Sequence, residues 1–257
     1  MIGIGVIMIR VVLVDLDGTV YEGNNVIDGA VEAISNMRNN GIKVIFCTNN
    51  SSLPPEKIVE KMNRMGVVCE DDELISSIGM MVAYLKNNAM KKVYVCGSDE
   101  VVEYCKFNKI DLCSENECEN LVIAMDKKYN YEKMTRGTHA ALRADKILIC
   151  NQDALFPTEE GLCPGCGAMV SSILFCSNRK ADVIIGKPST YMLEYVCEKY
   201  GYDKDDLLVI GDTPDSDIKM ADDFGCKSLL VDISGTVAGS VKGLKDTVSW
   251  DWSKFSS

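Results

Sequence analysis

Val11-Val12-Leu13-Val14-Asp15-Leu16-Asp17-Gly18-Thr19 is the stretch on which the reading of this chain turns. Four apolar residues run without interruption into two carboxylates, a glycine and a hydroxyl. A short apolar run bounded by a turn signal reads as a strand buried on both faces, as in a parallel sheet. Asp15 and Asp17 stand two apart, so extended chain points both side chains the same way. Gly18 permits a sharp exit from the sheet. Ligands of open α/β sheets bind just beyond the carboxyl ends of the strands, where this pair lies.

One chemistry that uses such a pair is phosphoryl transfer through an aspartyl-phosphate. Asp15 attacks phosphorus; Asp17 protonates the leaving oxygen and later takes a proton from water. Charge is the obstacle. At about 4 Å and an effective dielectric of about 20, two unit charges repel by roughly 4 kcal/mol. A cation and positive side chains must offset this, and three further apolar runs end in suitable residues. Val44–Cys47 leads into Thr48-Asn49-Asn50-Ser51-Ser52, a hydroxyl and successive N–H groups that can grip phosphoryl oxygens. Val183–Ile185 leads into Gly186-Lys187-Pro188, which brings an ammonium to neutralise Asp15 and the phosphoryl group. Leu207–Ile210 leads into Gly211-Asp212-Thr213-Pro214-Asp215-Ser216-Asp217, carboxylates for a hard cation such as Mg²⁺. Asp212, next after strand and glycine, is the expected metal ligand. Thr213–Ser216 line the phosphate side, and Asp215 is expected to be exposed. Taken singly, each has a bland alternative: an Asp-Gly turn, a strand end, a surface lysine, a solvated acidic loop.

DLDGT, the TNNSS strand end, GKP and GDTPDSD, in that order, resemble the four motifs of the haloacid dehalogenase (HAD) superfamily. Their spacing is similar to the branch of the NagD-type and p-nitrophenyl phosphatases, whose large C2-type cap lies between motifs two and three. LVIAMDKKYNYEKM and ILICNQDALFPTEEGLCPGCGAMVSSI also look like that cap. The resemblance implies a Rossmann-like α/β core, a parallel sheet flanked by helices, with an inserted α/β cap. It makes Asp15 nucleophile and metal ligand. It makes Asp17 the general acid/base, with its backbone carbonyl on the metal. Thr48 and Asn49 then bind the phosphoryl group, and Asp217 supports the metal as Gly18 supports the turn. Asn151 and Asp153 fall where the branch carries a substrate-facing TNPD loop, which points Asp153 at the substrate; an Asx turn is the alternative. Gln152 replaces the usual proline and Cys150 the frequent threonine. Leu53-Pro54-Pro55 stands where an arginine is common, which removes that substrate contact.

The 257 residues fit a core with a second, smaller domain. The expected division is a core of 1–86 and 182–257 with a cap of 87–181. Ile2–Met8 is apolar but too short to span a bilayer, which takes about 20 residues. Residues 1–7 read either as an upstream-start extension or as a lengthening of the first strand. Residues past Trp250 read as a loose end. The core helices are expected over 28–40, from Pro54 to Gly66, over 78–85, 189–200 and 217–224, with a last strand at 228–231. In the cap, strands are expected at 93–96, 121–125 and 147–150, and helices at 101–107, 131–144 and 168–175.

A formal charge of −11 argues against nucleic acid, whose binding rests on clustered Lys and Arg. It permits a phosphorylated metabolite, because a local field can oppose the net charge. Twelve cysteines without a leader read as reduced thiols of a cytoplasmic protein that makes no membrane contact. Cys163-Pro164-Gly165-Cys166 invites a zinc or redox reading, with only Cys113, Cys118 and His139 to complete a site. It equally matches the PGxG turn of the family. Cys47 beside Thr48 could block the site on alkylation, if accessible. A single histidine excludes His-based triads. The expected activity is hydrolysis of a small phosphorylated metabolite with Mg²⁺. A phosphomutase, a dehalogenase and a non-catalytic phospho-ligand sensor are the alternatives. Oligomeric state is open, though such caps can pair two copies.

Overall fold

Val11–Asp15 (β1) is the middle strand of a five-stranded sheet, and its five residues are buried. The computed structural model describes residues 9–158 and 161–252. The expectation for residues 1–7 and the last part of the tail, 253–257, lie outside the described residues.

After β1 the chain makes a small hairpin, Tyr21–Glu22 (β2) with Asn25–Val26 (β3), and then helix Ala30–Asn39 (α1). Strand Lys43–Thr48 (β4), helix Pro55–Arg64 (α2), strand Leu74–Ser76 (β5) and helix Ser77–Asn87 (α3) follow. Next come Val93–Cys96 (β6), Asp99–Phe107 (α4), Asn120–Ile123 (β7), Tyr131–Arg143 (α5) and Lys146–Ile149 (β8). Leu155–Thr158 (β9) pairs antiparallel with Gly161–Pro164 (β10), before helix Cys166–Ser177 (α6) and strand Val183–Ile184 (β11). The chain closes with Tyr191–Tyr200 (α7), Leu207–Gly211 (β12), Lys219–Phe224 (α8) and Lys227–Leu230 (β13).

The chain divides into two compact units. Unit 1 takes Met1–Cys47, Lys61–Leu74 and Thr190–Ser257; unit 2 takes Thr48–Glu60 and Ile75–Ser189. The sheet of β1 has the order β13-β12-β1-β4-β5. β1 pairs parallel with β12 and β4, and β12 with β13. Unbroken apolar strands suit a sheet covered on both faces. On α1 the buried positions are Ala30, Ala33, Ile34 and Met37, the three-to-four spacing of one helix face. On α7 they are Met192, Leu193 and Val196. Trp252 is fully buried with its ring 5.6 Å from that of Trp250. The chain is therefore anchored through Trp252 rather than loose after Trp250; burying an indole outweighs the ordering of two more residues.

Unit 2 carries a parallel sheet of order β11-β8-β7-β6. Leu121, Ile123, Ile147 and Ile149 of this sheet pack with Ala140 and Ala141 of α5 and Met169, Val170 and Ile173 of α6. The alanines let α5 lie close to its neighbours. Among the described residues, no helix is long and apolar enough to cross a membrane.

Candidate active site

The β1 register with β12 runs Val11 to Leu207 through Val14 to Ile210. One step further sets Asp15 level with Gly211 and puts Asp212 just beyond the paired strands. A single wide helical turn, Pro214–Ile218, follows before α8 begins. It folds Asp217 back, so that Asp217 N–H donates to the Thr213 carbonyl at 2.8 Å and Thr213 N–H to the Asp217 carboxylate at 3.1 Å. Wide turns of this kind recur at functional sites. Oxygens of Asp15, Asp212 and Asp217 consequently lie within 4.8 Å of one another. Asp15 and Asp217 are buried. The sequence reading makes Asp217 a support behind Asp212; the fold brings its carboxylate into the same cluster. Asp215 is exposed, as expected, and the Thr213 hydroxyl donates to Asp212 at 3.3 Å.

Gly18 makes the turn after Asp17 at φ +90°, and a Cβ there would run into the Asp212 carboxylate. Glycine is thus required twice over, for the backbone and for the space. The Leu16 carbonyl receives the N–H groups of Val20 and Tyr21, which tightens the same turn. The Thr19 hydroxyl is turned inward, fully buried and without a hydrogen-bond partner among the described residues. Tyr21 is also buried. Burial first, then the nearby Asp17 and Asp15 carboxylates, push its phenol well above its usual range, so it stays protonated. The Lys61 ammonium lies 4.0 Å from the centre of its ring.

β4 ends in Thr48, whose neighbour Cys47 is in register with Asp15. The Thr48 hydroxyl accepts the N–H of Asn50 at 3.0 Å. Cys47 is 1% exposed with its sulfur 3.3 Å from that of Met192, so the accessible thiol that alkylation requires is absent.

Unit 2 gathers the remaining expected residues into a second cluster. Lys187 is 3% exposed. Asn49 exchanges two hydrogen bonds with the Lys187 backbone, and its amide also donates to Asp153. Asn151 donates to the Asn49 carbonyl at 2.6 Å and to the Ser51 hydroxyl at 2.9 Å. Ser51 also accepts from Met125 N–H, and Ser77 donates to the Asn49 carbonyl. Ser51 and Ser77 escape a sequence reading: a serine after a strand has no mark that distinguishes a buried partner from a solvated one. Asn151 does carry a signal, its place beside Asp153.

The Cys163–Cys166 pair holds no metal cluster among the described residues. Cys166 is buried, and desolvation pushes its thiol up to about 12. What the segment needs is its glycines. Gly165 N–H donates to the Ala154 carbonyl at 2.8 Å and Gly167 N–H to the Asp153 carbonyl at 2.9 Å. A Cβ on Gly165 would strike the Asp153 carbonyl.

Residues 12–110 match the haloacid dehalogenase-like hydrolase family, and residues 184–244 match a second family described as HAD-hydrolase-like. The chain is 32% identical over 222 residues to the sugar-phosphatase AraL of Bacillus subtilis, covering 86% of this chain and 82% of that one. It is 32% identical over 207 residues to the acid sugar phosphatase of Staphylococcus saprophyticus, covering 80% of each. Among solved structures, the p-nitrophenyl phosphatase from Archaeoglobus fulgidus superposes with a TM-score of 0.86 at 26% identity, covering 94% of this chain and 98% of that one. The fold, the ordered motifs and these likenesses agree: the chain belongs to the haloacid dehalogenase-like hydrolases and is an enzyme of their phosphatase branch.

Proposed function

We propose that the protein hydrolyses small phosphomonoesters, sugar phosphates first among them, through an aspartyl-phosphate on Asp15 with Mg²⁺ as cofactor. The meeting of Asp15, Asp212 and Asp217 oxygens within 4.8 Å carries this reading. Such a spacing suits a small divalent ion: oxygens at about 2.1 Å around an octahedral centre stand about 3 to 4 Å apart. An all-carboxylate set, largely withdrawn from water, is the donor chemistry that Mg²⁺ prefers. Asp15, Asp212 and the Asp17 carbonyl are the proposed ligands, with Asp217 beside them. Bound there, the ion offsets the charge that would otherwise keep a phosphate dianion away.

The steps belong to side chains. An Asp15 oxygen attacks phosphorus as the bond to the departing alcohol breaks, and Asp17 gives that oxygen its proton. Asp17 then takes a proton from the water that attacks the acyl phosphate, which frees phosphate and restores the Asp15 carboxylate. Thr48 and the N–H groups after it hold phosphoryl oxygens, with Thr213 on the same side. Lys187 balances the charge in the transition state. Residues 87–181 serve as a cap over a core of 1–86 and 182–257, excluding bulk water and selecting the leaving group. The sugar class comes from the names of two relatives, AraL and the acid sugar phosphatase.

A panel of phosphorylated metabolites with Mg²⁺, scored by free phosphate, tests the proposal. Release from one or more sugar phosphates, abolished by EDTA, is the expected result. Phosphate release that survives EDTA removes the metal from the reaction, halide release from a haloacid with no phosphate release points to a dehalogenase, phosphate returned to the product points to a mutase, and silence throughout points to a sensor. Each of these overturns it.

A further inference from the structure

The amide of Asn49 has two N–H donors and one carbonyl oxygen. Its oxygen accepts the N–H of Lys187 at 2.8 Å, while its nitrogen donates to the carbonyl of the same residue at 3.0 Å. A side chain thus imitates one step of a strand ladder against a single backbone residue, 138 positions away. The second N–H is shared between the two oxygens of Asp153, each at 3.1 Å. Both amide donors are then engaged, so the Asn49 side chain has no N–H left for a phosphoryl oxygen, and only its backbone N–H can serve there. Asp153 is engaged in turn. Its N–H donates to Asn151 at 3.1 Å, and Asn151 donates back to the Asn49 carbonyl at 2.6 Å, closing a ring. The Gly165 and Gly167 N–H groups hold the Ala154 and Asp153 carbonyls from the far side.

From this geometry we infer that Asn49 and Asp153 are positioning residues that fix the Lys187 backbone, in place of the substrate contacts their sequence positions suggest. The inference rests on the catalytic part proposed for Lys187. The Asp153 carboxylate, with both oxygens accepting from Asn49, dictates which end of the Asn49 amide is nitrogen. That choice presents Lys187 with a matched acceptor and donor; the flipped amide would face N–H to N–H and oxygen to oxygen. With its backbone held at both N–H and carbonyl, the lysine stem starts from a fixed point. A closed ring of this sort holds its members more firmly than separate pairs do. The inference also accounts for Asp153 tolerating Gln152 before it: what matters is the carboxylate aimed at Asn49.

Charge exchange between the two positions tests the clamp, with p-nitrophenyl phosphate and Mg²⁺. Asn49→Asp sets two carboxylates against each other, and a displacement of the lysine by about 1 Å lowers kcat about 100-fold with little change in KM. Asp153→Asn keeps size and shape, frees the amide to flip, and costs about tenfold in kcat. The double exchange pairs an acceptor at position 49 with a donor at position 153 but still turns a carboxylate toward the Lys187 carbonyl, so its kcat stays within about tenfold of that of Asn49→Asp. Unchanged kcat and KM in Asp153→Asn overturn the inference. So does a rise in KM at unchanged kcat in Asp153→Asn, which marks a substrate contact. Hydrogen exchange at the Lys187 amide needs no turnover: it quickens in Asp153→Asn if the clamp loosens, and an unchanged rate refutes it. Should the wild-type protein release no phosphate, the proposed activity fails while the exchange measurement still decides the clamp.

Discussion

The two units treat polar groups in opposite ways. In unit 1, Asp15, Asp212 and Asp217 crowd like charge into one place. In unit 2, Asn49, Asp153, Asn151 and the Lys187 backbone match donor to acceptor around a closed ring. Unit charges at about 4 Å repel by roughly 4 kcal/mol at an effective dielectric of about 20, so the first arrangement favours the arrival of something positive. The second is satisfied as it stands. A fold keeps convergent acids only where something positive arrives to use them, and it keeps a closed network where a position must not vary. The contrast separates an acidic part, proposed to be reactive and ion-dependent, from a geometric part.

The sharpest way to break this contrast is to remove the proposed nucleophile. Asp15→Asn takes one charge from the crowded cluster, so the fold should survive or even gain stability while phosphate release falls by at least about 10³-fold. A single-turnover assay for phosphorylated protein checks the same point, with label expected on wild type and none on the variant. Activity above a few per cent would remove Asp15 from its role and with it the idea of a reactive cluster.

Asp212 and Asp217 sharpen it. Loss of a direct ligand should raise the Mg²⁺ needed for half-maximal activity by more than about 100-fold, loss of a supporting acid by about 10- to 100-fold. Asp212→Asn is expected in the first range and Asp217→Asn in the second. Equal effects would make Asp217 a ligand in its own right, which its approach to the other two makes chemically accessible. No effect from either would mean that the acids meet for some purpose other than a cation.

A smaller and purely thermodynamic effect follows. An ion that binds only the folded form at 100 times its Kd stabilises it by about 2.7 kcal/mol. Mg²⁺ should therefore raise the melting temperature of the wild type, and EDTA should return it. In Asp212→Asn the rise should vanish. In Asp153→Asn, a change within the satisfied network, it should persist. A Mg²⁺ shift lost in both variants would join the two regions that the contrast separates.

The convergence of the acids was legible in the sequence because it is local. Each acid follows an apolar strand within one or two residues, and β1, β4 and β12 sit where Val11–Val14, Val44–Cys47 and Leu207–Ile210 place them. Even so, a helix expected from Asp217 hides the wide turn that swings this residue inward, since periodicity cannot tell a turn of that width from the start of α8. The geometric half was much less legible. Asn49 and Lys187 each carry a motif, yet nothing near either announces that the side chain of one pairs with the backbone of the other. The short hairpins β2–β3 and β9–β10 also went unread, being too brief for an alternating pattern to stand out. Trp252 looked like part of a polar tail because its polar neighbours in sequence give no sign of its burial.

The smallest expected effect is on pH dependence and sits in the satisfied region. Burial pushes the Cys166 thiol up to about 12 from an ordinary 9.0, and Ser51, which accepts from Asn151 of the ring, stands next to it. Because the folded value is raised, the folded form keeps its proton where the unfolded form has begun to lose it. The stability this thiol contributes is whole below pH 9 and declines as pH rises from 9 toward 12. At pH 10 the loss is roughly 1 kcal/mol for one such thiol. Cys166→Ala should flatten the alkaline side of a stability profile by about that amount, measured by urea unfolding at pH 8 and 10. Because Cys166 adjoins the ring and not the acids, the same shift in pH should quicken exchange at the Lys187 amide in the wild type beyond its intrinsic base-catalysed rise, and less so in the variant. Equal alkaline slopes in both proteins would show that this thiol titrates without disturbing its neighbours. The rigidity of the ring would then depend on its hydrogen bonds alone, with no share from the buried sulfur beside it.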